Sequence, residues 1–255
     1  MTPELISEAA ADGVLLLRLY RPERRNALAT PLLRTLADAL AAADADGAIR
    51  VAIITGSDSL FAAGADIDEL AASTSDDPIE SPRFQAWAAI RAFSKPLIAA
   101  VEGWCLGAGL ELALRCDLIV AGAKARFGLP ETNLGIMPGA GGTAILPRLV
   151  GLRRATAMVL TGEPIGAEEA LRAGLITEAV ADGEAAAAAT MLAAKLAARA
   201  PHALRTAKAS LRQAAELPLE EHLLSERRAF VGLLGGAEKE EGIAAFREKR
   251  AARWP

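Results

Sequence analysis

Apolar positions along this chain follow two rhythms. Short runs rich in aliphatic and β-branched residues, VLLLRLY (14–20), IRVAIITG (49–56), KPLIAAVEG (95–103), DLIVAGAKARFG (117–128) and GLITEAV (174–180), read as strands. Between the first two lies ATPLLRTLADALAAADADG, where Thr30 is placed to cap a helix, Pro31 suits its first position and Gly47 ends it. Leu32, Leu33, Leu36 and Leu40 then share one face. Strands separated by helical connections predict parallel β-structure with helices packed outside, an α/β fold.

From Asp182 onward the strand rhythm disappears. Residues 183–200, 204–217, 219–234 and 237–254 carry helical periodicity, punctuated by Pro201 and Pro218. A boundary near 182 therefore separates a mixed core (1–181) from a helical region (182–255). The polar, proline-bearing segment ASTSDDPIESP (72–82) predicts a mobile surface loop.

Composition narrows the function classes. The chain has 255 residues and a formal net charge of −4, so no overall basic field exists to hold nucleic acid or an anionic membrane. Two cysteines, Cys105 and Cys116, are too few for a disulfide framework. The N-terminal MTPELISEAAADGV lacks a basic segment followed by an apolar core, and no apolar run approaches the roughly 20 residues that span a bilayer. A soluble cytoplasmic protein is expected. His202 and His222 have no neighbouring ligands, so no metal is expected. No G-x-S-x-G elbow is present either.

What remains is two glycine clusters and two acids. Gly107-Ala108-Gly109 and Gly139-Ala140-Gly141-Gly142 suit tight turns before helices, and small residues there let a ligand reach free backbone N–H groups. The acids of GADIDEL suit the first turn of a helix. Glu111 follows the first cluster inside Leu-Glu-Leu-Ala-Leu. It pairs with Arg115 across one turn on a solvated face, or it is a desolvated acid of an active site. Glu131 precedes the second cluster and either caps a turn or serves as a second acid. Cys105 reads as a buried filler and Trp104 as core.

RPERRNAL (21–28), FAAGADIDEL (61–70), the long stretch KPLIAAVEG to LPRLVG (95–151) and EGIAAFREKR (241–250) together resemble the enoyl-CoA hydratase/isomerase, or crotonase, family, almost end to end. The resemblance implies a spiral of repeated ββα units with a C-terminal helical region that drives trimerisation, two trimers stacking into a hexamer. It implies an acyl-CoA thioester as substrate and no separate cofactor. The oxyanion hole maps onto the backbone N–H groups of Ala65 and Ala108, and the acid/base pair onto Glu111 and Glu131. Arg24, Ala63, Ala65, Asp66, Ile67 and Ala108 fall in substrate-contacting segments, as do Phe246 and Lys249, often from a neighbouring subunit. With both acids present the expected reaction is hydration of a trans-2-enoyl-CoA; an enoyl-CoA isomerase is the alternative and an RNA-binding member the distant one. Within the family the motifs are most similar to bacterial hydratases of phenylacetate degradation, which act on 2,3-dehydroadipyl-CoA, with a fatty enoyl-CoA as the other substrate class. Arg83 and Arg91 are the candidates to meet a distal carboxylate. Two departures stand out: GGTAIL (141–146) replaces a frequent GGTQRL, and Asp68 stands where some relatives carry lysine.

Overall fold

A computed structural model describes residues 4–255; the first three residues of the N-terminal segment lie outside it. An antiparallel hairpin opens the chain, β1 (Leu5–Ala11) with β2 (Val14–Leu19), and helix α1 (Thr30–Ala45) follows. Three successive units then repeat one path. β3 (Val51–Thr55) leads to β4 (Leu60–Ala62), then α2 (Ile67–Ala72) and α3 (Pro82–Ala92). β5 (Leu97–Val101) leads to β6 (Trp104–Leu106) and α4 (Ala108–Ala113). β7 (Leu118–Gly122) leads to β8 (Arg126–Gly128), a 3-10 turn at Glu131–Leu134, and α5 (Gly142–Val150).

The first strand of each unit joins a large sheet and the second a small one. With α6 (Leu152–Thr161), β9 (Ile165–Gly166), α7 (Ala167–Arg172) and β10 (Glu178–Val180), the sheet orders are β1-β2-β3-β5-β7-β10 and β4-β6-β8-β9. Pairing is parallel except at β1–β2 and β8–β9. This is the spiral of ββα units expected from the sequence.

β3 and β5 are buried at every position, which explains their continuous apolar runs. Their side chains still alternate: Ala52, Ile54, Leu97 and Ala99 enter the main core under α1 and α3, whereas Val51, Ile53, Ile98 and Ala100 face α8 (Ala185–Ala197). The strands thus end at Val180 and the helices begin at Ala185, but α8 packs on the large sheet through its alanines. Three more helices follow, α9 (Pro201–Ala214), α10 (Leu219–Leu233) and α11 (Ala237–Glu248). No described helix is long and apolar enough to cross a membrane.

Several expectations need correction. DLIVAGAKARFG is not one strand but two, because the chain turns at 123–125 to pass from large to small sheet. The segment after Gly103 forms strand β6, which the sequence did not announce because three residues are too few to show a period. Gly103 makes the turn into it at φ +57°, where an added Cβ would lie 1.7 Å from Ser59 O. Only Glu178–Val180 of GLITEAV is extended, and β1, β4 and β9 had no sequence signal strong enough to read. Thr30 is not the cap of α1: Ala29 occupies that position, and Thr30 instead donates its N–H and hydroxyl to the Glu69 carboxylate at 2.8–2.9 Å. An acid on a neighbouring helix does the work of a local cap. Trp104 is half exposed rather than core, while Cys105 is fully buried as expected.

A charged cluster ties α9 to the core. Lys208, buried, donates to the carbonyl of Lys95 and pairs at 2.7 Å with Asp117, which also accepts from Leu97 N–H at 2.8 Å and faces Arg212 at 3.2 Å. Asp117→Asn leaves both cations underpaired at this joint and is expected to cost about 2–3 kcal/mol, read from the urea unfolding midpoint.

Candidate active site

Helix α4 is buried at all six positions, and Glu111, 3% exposed, sits within it. Such a carboxylate needs donors, since burial of an unpaired charge is costly. They come from the second glycine cluster: Ala140 N–H donates to Glu111 Oε1 at 2.7 Å and Gly142 N–H at 2.8 Å. The solvated ion pair with Arg115 is not formed; Arg115 instead donates from Nη2 to Ala140 O at 2.5 Å. Arg115 therefore holds the loop that holds the acid. Glycine is required here: a Cβ at Gly141 (φ +116°) would meet Arg115 Nη2 at 2.7 Å, and one at Gly142 would meet Pro138 Cβ at 2.9 Å. Burial pushes the Glu111 carboxyl above its ordinary value, opposed by the two N–H groups and by the charges of Arg115 and Arg83.

Glu131 has a different environment. It opens the 3-10 turn after β8, and its Oε2 is buried with no hydrogen-bond partner among the described residues. Burial, aided by the negative charge of Glu111, lifts its carboxyl to about 7. Gly107, at φ +53°, passes so close that an added Cβ would lie 3.1 Å from Glu131 Oε1. The two acids thus face one space with opposite character, one anchored by donors and one without them.

That space is a cavity of about 480 Å³ lined by Glu111, Glu131, Gly107 and Ala108 on one side and by Ala63, Gly64, Ala65, Asp66 and Ile67 on another. Ala108 begins α4, and among the described residues neither its N–H nor that of Ala65 donates to a backbone acceptor. RPERRNAL runs alongside: Arg25 O accepts from Ala63 N–H at 3.1 Å, buried Asn26 donates to Phe61 O at 3.1 Å, and Arg21 pairs with Asp66 at 3.0 Å. Asp66 also caps α2 through the N–H groups of Asp68 and Glu69, as the acid-rich first turn predicts. Arg24 reaches the cavity rim but is paired with Asp68 at 2.8 Å. Of the expected site residues, Phe246, Lys249 and Arg91 do not line the cavity; the first two lie at the end of α11, Phe246 85% exposed, and Arg91 pairs with Glu216 at 2.6 Å. The role of the Ala140 and Gly142 amides in holding Glu111 was not legible in the sequence, because it joins segments 29 and 31 residues apart. Burial drives the Cys105 thiol far up, so it is no nucleophile.

The family model for enoyl-CoA hydratase/isomerase matches residues 9–255. The chain belongs to the enoyl-CoA hydratase/isomerase family. It is 50% identical to the 2,3-dehydroadipyl-CoA hydratase of Escherichia coli over 93% of each chain. It is 40% identical to a probable enoyl-CoA hydratase of Mycobacterium leprae over 92% of each. Among solved structures, an enoyl-CoA hydratase from Bacillus anthracis superimposes with a TM-score of 0.94 at 34% identity, covering 99% of each chain. One from Geobacillus kaustophilus gives 0.93 at 39% identity, covering 99% of this chain and 98% of the other. The chain is accordingly an enzyme of the enoyl-CoA hydratase kind.

The environment of Glu131 has a consequence for stability. Its carboxyl rises from 4.5 to about 7 on folding, so the folded state favours the protonated form, and that contribution is lost as pH rises through about 7. Glu131→Gln removes the ionisation; the melting temperature of the variant relative to the wild type is expected to increase between about pH 5 and about pH 8.

Proposed function

We propose that the cavity takes the reacting end of a trans-2-enoyl-CoA and that Glu111 and Glu131 divide the acid/base work. The observation that carries this reading is their asymmetry: two backbone N–H groups donate to Glu111, while Glu131 has a buried oxygen with no partner among the described residues and a carboxyl lifted to about 7. The thioester oxygen accepts hydrogen bonds from the N–H groups of Ala65 and Ala108. Glu111 takes a proton from water as the water oxygen bonds to C3, and the C2–C3 π electrons move onto the thioester as an enolate. Glu131 then gives its proton to C2, the enolate collapses, and the 3-hydroxyacyl-CoA is complete. Fixed amide donors aimed at developing oxyanion charge are each worth about 10²–10³ in rate. Coenzyme A enters as part of the substrate, and the scheme uses no further cofactor.

The substrate class proposed is an enoyl-CoA whose acyl chain ends in a carboxylate, supported by the 50% identity to a 2,3-dehydroadipyl-CoA hydratase. A homotrimer or a hexamer of two trimers is part of the same reading. Its support is the exposed apolar side chains on α9 to α11, among them Leu211, Leu219, Phe230, Val231 and Phe246, and it would bring Phe246 and Lys249 to a neighbour's CoA. A cytoplasmic location fits the free state of Cys105 and Cys116.

Hydration is followed by loss of the conjugated thioester absorbance. Glu111→Gln and Glu131→Gln should each lower kcat by about 10²–10⁴ while leaving the circular dichroism spectrum intact. Because Glu131 must be protonated to act, kcat/KM for hydration is expected to fall as pH rises through about 7, and Glu131→Gln should lack that limb. Isomerisation of a 3-enoyl-CoA without any hydration would overturn the reading. Light scattering should give three or six times the chain mass.

A further inference from the structure

Helix α3 lines the cavity with two donor-bearing side chains whose donors are not fully used. Arg83 and Trp87 are four residues apart, on one face of the helix, and both line the wall that also carries Leu70 and Phe84. Trp87 is buried, and its indole N–H has no acceptor among the described residues. Tryptophan can only donate, so an enclosed, unmatched N–H marks a place for an acceptor. The side chain of Arg83 is 20% exposed and engages Leu28 O at 3.2 Å and Glu69 Oε2 at 3.4 Å, both through Nη1. Both contacts are long, and the Glu69 carboxylate already accepts from Thr30 at 2.8–2.9 Å. The Nε and Nη2 edge of Arg83 donates to no described residue.

The charge balance of the cavity points the same way. Glu111, Glu131 and Asp66 line it, Asp66 being paired with Arg21, so a further carboxylate brought close to Glu111 needs a cation of its own. Of the three arginines that line the cavity, Arg24 and Arg25 are exposed, and Arg24 is already paired with Asp68. Arg83 is the one set into the wall, near enough to feel Glu111, Asp66 and Glu69. The other candidates are committed elsewhere: Arg91 is 59% exposed and paired with Glu216 at 2.6 Å, and Arg115 holds Ala140 O.

We infer that Arg83 and Trp87 form a carboxylate-reading subsite, which selects acyl chains ending in a free carboxylate over chains of equal length ending in a methyl group. This rests on the reading of the cavity as an enoyl-CoA site. The guanidinium edge and the indole N–H supply charge-assisted donors to one terminal carboxylate, and neither has a use for a methyl end. With a methyl-ended chain the indole donor stays unmatched, so discrimination works from both sides.

The test separates this subsite from the reaction itself by measuring binding of saturated, unreactive ligands. Adipoyl-CoA and hexanoyl-CoA have the same length and differ only at the far end. Isothermal titration is expected to show the wild type binding adipoyl-CoA about 10- to 100-fold more tightly. Arg83→Met should bring that ratio close to one, Arg83→Lys should restore part of it, and Trp87→Phe should lower it about 3- to 10-fold. Kinetics with 2,3-dehydroadipyl-CoA and trans-2-hexenoyl-CoA should show the same change of ratio, mainly in KM. Equal wild-type affinity for the two ligands overturns the subsite, as does an Arg83→Met variant that weakens both ligands alike, the outcome if Arg83 only braces Leu28 and Glu69. Failure to hydrate either enoyl-CoA would instead overturn the proposed reaction, and the binding ratio would still decide the subsite.

Discussion

The Glu111 carboxylate, enclosed in an apolar six-residue helix, is the constraint around which the site is arranged. A charge in that position is tolerable only with donors supplied at short range, and its own helix has none free at that point. The loop 139–142 supplies two, which requires that the loop be held still, that its glycines carry no side chains and that Arg115 tether Ala140 from behind. Two segments about thirty residues apart are thereby locked to one carboxylate. The order of the spiral makes this possible, because successive units place α4 and the start of α5 side by side.

The same enclosure differentiates the two acids. Glu131 shares the low-dielectric space but has an oxygen with no partner among the described residues, so burial, with a smaller push from the Glu111 charge, raises its carboxyl despite its own backbone N–H. Burial raises both carboxyls, and the two side chains differ in the number of donors that oppose it. A site that must both take and give a proton near neutral pH needs such an asymmetry, and backbone geometry provides it without any further ionisable group.

Much of this was legible beforehand, and the reasons differ between elements. β3 and β5 announced themselves because strands buried on both faces must be continuously apolar, and α1 because its leucines repeat with the helical period. The small-sheet strands β4, β6 and β8 did not, because three residues carry no period and their pairing is decided by partners more than twenty residues away. Thr30 was misread as a cap because Glu69, 39 residues on, occupies the place that a local side chain would otherwise fill. Asp68 and Glu69 were legible as acids of a helix's first turn, and Asp66 caps that turn through contacts made within three residues of chain.

The sequence by itself determined the alternation of strand and helix, the all-helical end, the residue types of the site and, through ordered motifs, the family. These are properties of local periodicity and of linear spacing, which a chain carries whether or not it is folded. Tertiary structure decided which of two readings of Glu111 holds and, among the described residues, which amides are left free and that the Trp87 indole N–H has no acceptor. Hydrogen-bond satisfaction and desolvation depend on what surrounds an atom in space. For Glu111 that environment is built from segments about thirty residues away, so only the folded chain could settle it.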